Sequence, residues 1–280
     1  MKTIQTDLFA KRFFIHIIMI ILGLIAVVPI YLLLINATRS TEQINAGISL
    51  FPGGNTMYNW KILTGRGFQI WQGFGNSVFI SVSTTVLSVY FSAMTAYGLH
   101  VYRFKGRKVL WTVILIIIML PATLSIIGFY QFVSLMKLRN SYLPLIIPSI
   151  AAAGTVLFLR QYMMSALSKE LIDAARIDGA GEYSIFNMIV MPIMLPALAA
   201  QSIFTFVGSW NNFITPFILI SSEKKYTLPM LVQSLRGNIY RAEYGAIYLG
   251  ISISLVPILI FYIFMSKFII SGLTMGSIKE

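Results

Sequence analysis

Two histidines, nine carboxylates and no cysteine are all that this 280-residue chain offers to proton transfer, metal ligation or nucleophilic attack. The lack of cysteine excludes a disulfide framework, iron–sulfur clusters and thiolate metal sites. His16 and His100 stand at the edges of apolar stretches, where polar rings settle at an interface. No G-x-x-x-x-G-K-[ST] pattern occurs, and the glycines around Gly53 and Gly65 lack the accompanying lysine. No loop therefore cradles nucleotide phosphates. One further constellation carries recognition chemistry. Trp210, Asn211 and Asn212 put an aromatic face and two amides within one turn. Such a face and such amides can hold a polar solute, although polar residues also join helices inside a membrane. Tyr130, Gln131 and Gln201 offer similar groups singly.

The elements that must hold these residues are membrane spans. The chain is 57% hydrophobic and 11% charged, with mean hydropathy +0.80. An average soluble domain is about 25% charged, and a core of this size cannot hide so much apolar surface from water. About 20 apolar residues cross about 30 Å of hydrocarbon. Six stretches qualify, at about 13–35, 76–99, 109–136, 141–159, 195–220 and 244–266. The first is too long for a secretory h-region, and Ile35-Asn36-Ala37 is a poor cleavage site, so it is read as retained. Pro121 kinks the third, which a bundle tolerates. From Tyr183 to Ser222 there is no Asp, Glu, Lys or Arg. One helix of that length would be about 60 Å long, so Pro192 and Pro196 are expected to divide it into an interfacial helix, about Glu182 to Met191, and the fifth span.

The net charge of +12 reads as topology. Lys2, Lys11 and Arg12 precede the first span, and Arg103, Lys105, Arg107 and Lys108 crowd one short loop. With Arg160, Lys169, Arg176, Lys267 and Lys279, these place twelve of the 21 basic residues on the cytoplasmic side. Both termini are then cytoplasmic, with residues 1–12 a cytoplasmic N-terminus and 271–280 a cytoplasmic tail. Basic residues in short loops between apolar spans do not form a nucleic-acid face. The outer basic loops suit an acidic solute or lipid headgroups equally. The span interiors carry no Asp, Glu, Lys or Arg, whereas ion-driven carriers bind their coupling ion on such groups. Uphill transport would need energy from another protein.

The segment between the fourth and fifth spans, about 165–192, differs from the rest. Ser168 can cap a helix and Glu170 suits its first turn. Ala174 and Ala175 present small surfaces, and Gly179 is placed to end the helix in the left-handed conformation. Patterning alone leaves two readings, a docking helix or an ordinary polar loop.

The spacing resembles the EAA loop of binding-protein-dependent ABC importer permeases, which reads roughly E-A-A, three residues, G, nine residues, I-x-L-P. Here Asp173-Ala174-Ala175, Gly179 and Ile189-Val190-Met191-Pro192 keep those distances, with Asp for Glu and Met191 for Leu. Asp178-Gly179-Ala180 and Phe186 match the sugar-importer version. Trp210-Asn211-Asn212-Phe213 resembles the family's W-N-x-F, and the region from Leu120-Pro121 through Tyr130 to Asn140-Ser141-Tyr142 resembles the entry to the fourth span. The ending Gly272-Leu273-Thr274-Met275-Gly276-Ser277-Ile278-Lys279 resembles the G-L-T-x-G-x-x-K tail of the maltose-importer G-type subunit.

This resemblance implies an all-α integral membrane protein with the six spans of the ABC type I importer permease fold, over about 13–270, and a cytoplasmic coupling helix between spans four and five. It implies a non-enzymatic subunit that forms half of a sugar pathway, with an oligosaccharide as cargo. Its implied partners are a second, F-type permease as heterodimer, a homodimeric ABC ATPase that binds ATP and Mg2+, an extracellular solute-binding protein and membrane lipid. Asp173, Ala174, Ala175, Asp178, Gly179, Ala180 and Pro192 would form the ATPase-coupling element. Gly272, Leu273, Thr274, Gly276 and Lys279 would reach the ATPase as well. Trp210, Asn211 and Asn212 would border the substrate pathway. A permease of the same architecture for a polyamine or phosphate is the alternative, and a stand-alone channel or insertase is a more distant one.

Overall fold

The structure, a computed structural model, describes residues 2–65, 69–121, 125–236 and 242–276, with side chains from residue 12 to residue 270. Among them there is no strand. Two compact units emerge, one from residues 1–69 with 232–255, the other from 70–231 with 256–280.

In the first unit, α1 (Lys2–Asn36) is an unbroken helix. Residues 12–36 are long and apolar enough to span a membrane, and none of the most apolar window is buried. Its large side chains, such as Phe14, Leu24 and Val27, stay more than half exposed, as a face turned to lipid requires. The loop beyond it is fastened by polar contacts. Ser40 and Gln43 form a capping box, and the buried Asn59 amide donates to the carbonyls of Ala37 and Arg39 at 2.9 and 3.1 Å.

The second unit holds the core. Its axis is α2 (Ile70–Val101). Two helices pack along it, α5 (Ala153–Ala166) and α7 (Leu195–Trp210); α3 (Arg107–Met119) lies on α5, α4 (Ile126–Leu135) meets Ile214–Leu219, and α6 (Lys169–Ile177) seats Ile172 and Ala175 beside Leu99. The long α8 (Tyr244–Gly276) belongs to the first unit up to residue 255 and to the second from residue 256. The heaviest packing is of α2 against α7 and α5. Ser77, Ser81, Thr84, Thr85, Ser88 and Ser92 give α2 a buried stripe of small side chains, which lets helices approach closely where no hydrophobic effect drives them together. Leu99, Leu159, Met163, Ile172, Ile185 and Phe186 then form one cluster at the end of α2.

Among the described residues, four helices are long and apolar enough to cross a bilayer, and a bent pair taken as one span makes a fifth. The stretch expected as one kinked third span is two helices, of 13 and 10 residues. Leu120 precedes Pro121 and sits in extended backbone (φ −77°, ψ 128°), because proline disfavours the helical conformation in the residue before it. The fourth stretch opens with a turn at Leu143–Ile146 and a 3-10 turn at Ile147–Ser149. It then runs as α5 past the expected end, so that Arg160 lies inside the helix, its guanidinium 4.1 Å from the Trp111 ring centre. The fifth stretch ends as a long helix at Trp210 and resumes only over Ile214–Leu219. The division expected at Pro192 and Pro196 is a bend of 80° between residues 182–193 and α7. Residues 185–190 there are π-helical.

Candidate functional site

Two places in the second unit bring the singled-out residues together. The first is the ledge built on α6. Ser168 caps it, its hydroxyl accepting from the Leu171 amide at 3.3 Å, a contact worth about 1 kcal/mol to a helix. At the other end Gly179 has φ +80°. The Ala180 amide donates to Ala175 and the Gly179 amide to Arg176, both at 3.0 Å. These two bonds make a complete Schellman motif, which glycine serves best because its left-handed conformation penalises any residue with a Cβ. A helix of nine residues is too short to hold itself in water. Its two caps and one buried face hold it here.

That buried face is Ile172 and Ala175, 1% and 8% exposed within the cluster at the end of α2. The opposite face is open. Glu170, Leu171, Asp173, Ala174, Ile177 and Asp178 are all exposed, and Ile177 is bare at 87%. The ledge thus presents small and apolar side chains flanked by carboxylates. Pro192 lies 13 residues past Gly179, exposed, in the short helix before the 80° bend.

An unforeseen clamp fixes the ledge to α2. Arg176 reaches Asp173 at 3.0 Å and Glu182 at 2.7 Å. Tyr97 donates its hydroxyl to Glu182 at 3.0 Å, and Tyr102 donates to the same oxygen. The Arg176 guanidinium also lies 5.8 Å from the Tyr102 ring centre. The hydrogen bond from Arg176 holds the Glu182 carboxyl below its ordinary range. Burial, with Glu182 as its acceptor, pushes the Tyr102 phenol up, so it remains a donor. Tyr97 and Tyr102 stand some 80 residues from Glu182 in the chain, and no local pattern links them. The one sequence signal was two tyrosines beside the basic loop, next to helix ends.

The second place is the corner after α7. Trp210 is buried at 1% exposure, edge-on to Phe74 at 5.7 Å and stacked with Phe206 at 5.8 Å. Phe206 in turn stacks on Phe261 at 4.2 Å. Asn211 is exposed. Asn212 lines a groove of about 650 Å3 between α4, the Leu143–Ser149 turns and Thr215, and its Oδ1 accepts from the Thr215 amide at 3.3 Å. The structure therefore parts the triplet, with the tryptophan in the packing and the asparagines at the surface. Tyr130, Gln131 and Gln201 do not line this groove. Gly272, Leu273, Thr274 and Gly276 lie on the last helical turns of α8; their side chains, and Lys279 altogether, lie outside the described residues. Among the described residues, no group of three His, Asp or Glu could hold a metal.

Residues 88–269 match the family model of the binding-protein-dependent transport system inner membrane component. That match takes in α6, the bend and the α7 corner. The chain belongs to this family: it is the membrane subunit of an ABC importer, a transport protein rather than an enzyme. Members work with a second permease, an ATPase on another chain and a binding protein, and the chain is a multi-pass cell-membrane protein. It is 40% identical to the arabinooligosaccharides transport system permease protein AraQ of Halalkalibacterium halodurans over 261 residues, 92% of this chain and 93% of that one. The AraQ protein of Bacillus subtilis is 36% identical over 92% of each chain. The lactose transport system permease protein LacG of Rhizobium radiobacter is 30% identical over 91% and 92%. A bacterial ABC transporter that imports the acidic polysaccharide alginate contains a chain of the same fold, with TM-score 0.76, 22% identity and coverage of 92% of this chain and 97% of that one.

Proposed function

We propose that this chain forms half of the translocation pathway for an oligosaccharide delivered by an extracellular binding protein, and that α6 is the helix through which a separate ATPase drives it. The observation that carries the coupling reading is the open face of α6, a capped, amphipathic helix with Ile177 bare in a chain otherwise shaped for lipid. Asp173, Ala174, Asp178 and Gly179 with Ala180 form the contact, and Ala175 beneath them seats the helix on the cluster at the end of α2. Pro192 marks where the connection enters the bend.

In this reading six spans cross the membrane, the interrupted helix pair α3 and α4 making the third, and both termini are cytoplasmic. The other permease is an F-type subunit in a heterodimer. ATP and Mg2+ bind to a homodimeric ATPase, and this chain holds no cofactor of its own. The tail from Gly272 to Lys279 extends toward the same ATPase. ATP-driven closure moves α6 as a rigid handle, and the spans rock between inward-open and outward-open forms. The pathway passes Asn211 and Asn212, with Trp210 behind them as their support. Lipid covers the bare face of α1.

The names of the relatives support a saccharide over a polyamine, and an arabinose oligomer is the first cargo to try. The test is a thermal-shift screen of the companion binding protein against arabinotriose, lactose and spermidine. A shift with a saccharide, followed by ATP-dependent uptake of that saccharide, is the expected result. A shift with spermidine alone overturns the sugar reading.

A further inference from the structure

Three helices of the second unit are interrupted, and the interruptions meet. The first begins at Leu120 and Pro121, the second lies between Ile146 and Ala153, and the third between Trp210 and Ile214. Ser125 borders the first, Ser149 sits in the second and Asn212 in the third; all three line the same groove, with Thr215, Phe129 and Phe132. Non-helical backbone at membrane depth persists only where protein buries it or where it faces a water-filled cavity. Transporters of other architectures bind solutes at such broken helices. A volume of about 650 Å3 lies within the range of ligand sites.

The chemistry of the lining is specific. The Asn212 Nδ2, the Thr215 hydroxyl and the Ser149 hydroxyl make no hydrogen bond among the described residues, and they are not sealed from solvent. Phe129 and Phe132 lie three residues apart on one face of α4. A lipid tail would leave the amide and hydroxyls unpaired. A sugar ring has an apolar C–H face for the phenylalanines and a rim of hydroxyls for the amide and hydroxyl groups. Among the described residues, no charged side chain lines the groove, which fits a neutral saccharide.

We infer that this groove, and not the Trp210 ring, is a saccharide subsite on this chain, with Asn212, Thr215 and Ser149 bonding to sugar hydroxyls and Phe129 and Phe132 packing against the ring. The inference rests on the oligosaccharide reading above. Because the chain has no native cysteine, Ser149→Cys and Thr215→Cys each supply a unique thiol. The assembled transporter, with its second permease, ATPase and binding protein, is labelled with a membrane-impermeant methanethiosulfonate reagent with and without saturating arabinotriose. Both thiols are expected to label, and arabinotriose to slow labelling about tenfold, as burial of most of a ligand's surface in a site implies. A thiol at the exposed Lys105 position of the basic loop between α2 and α3 is the control that labels in water and that arabinotriose leaves unchanged. Asn212→Leu is expected to raise KM for arabinotriose uptake about tenfold, the effect of one lost hydrogen bond; monodispersity of the complex checks assembly, and the thiol pair decides where assembly fails. Unprotected or unlabelled thiols, in a transporter that does carry arabinotriose, overturn the groove and leave the sugar reading standing. Transport of spermidine and of no saccharide overturns both.

Discussion

The ledge on α6 and the groove beside Asn212 spend their polar groups in opposite ways. On the ledge, Arg176, Asp173, Glu182, Tyr97 and Tyr102 bond to one another. In the groove, Asn212, Thr215 and Ser149 keep bonding capacity unused, and the backbone around them is broken. A helix proposed to move as one rigid handle is expected to satisfy its polar contacts internally. A groove proposed to accept and release a solute is expected to keep groups open for hydroxyls that come and go. Under the two proposals above, the satisfied network belongs to the transmitting element and the open donors at helix breaks to the receiving one.

The strongest way to break the comparison is to destroy the handle. Gly179→Pro demands φ near −65° where the chain has +80° and removes the amide that bonds to Arg176. ATP-dependent uptake in proteoliposomes is expected to vanish while the protein still inserts, as membrane fractionation will show. Gly179→Ala costs about 1 kcal/mol for the left-handed backbone alone, since nothing lies within 4 Å of an added Cβ; partial uptake is expected.

Next comes the support of the receiving corner. Trp210→Ala empties the space between Phe74 and Phe206 and is expected to cost about 3 kcal/mol, read as a lower melting temperature of the purified complex. Trp210→Phe should recover most of it. If Trp210 held the sugar directly, its loss would instead raise KM for uptake at unchanged stability.

The clamp sharpens the comparison more gently. Arg176 and Glu182 are partly exposed, and such pairs contribute little. Glu182→Gln is therefore expected to lower uptake about threefold and to raise the ATP hydrolysed per sugar moved. The last effect is of pH. The Glu182 carboxyl titrates lower when folded than when unfolded, so the clamp's contribution is complete above the ordinary carboxylate pKa of about 4.3 and is lost as pH falls through the lowered value. ATP hydrolysed per sugar moved should thus hold steady between about pH 6 and 8, and Glu182→Gln should behave alike across that range.

Much of this was legible beforehand. Ser168, Gly179 and the spacing to Pro192 are local signals, and local backbone chemistry fixes both ends of α6. The division of the apolar run near Pro192 and Pro196 follows from length and proline alone. The break at Leu120 was visible as Pro121, but a kink and a full stop differ only in whether neighbours supply new partners for the freed backbone, which hydropathy does not encode. The clamp joins residues about 80 positions apart, and the inward turn of Trp210 depends on Phe74 and Phe206. Aromatic and amide types named the corner, while only packing decides which of them faces a solute.

The central claim is that α6 is gripped from the cytoplasm by an ATP-hydrolysing partner. The most direct measurement places a unique cysteine at Ile177, bare on the open face, and carries a photoreactive crosslinker on it in the assembled transporter. The account predicts modification from the cytoplasmic side only, and crosslinking to the ATPase subunit. Modification from the outer face, or crosslinks that never include a nucleotide-hydrolysing chain, would contradict it.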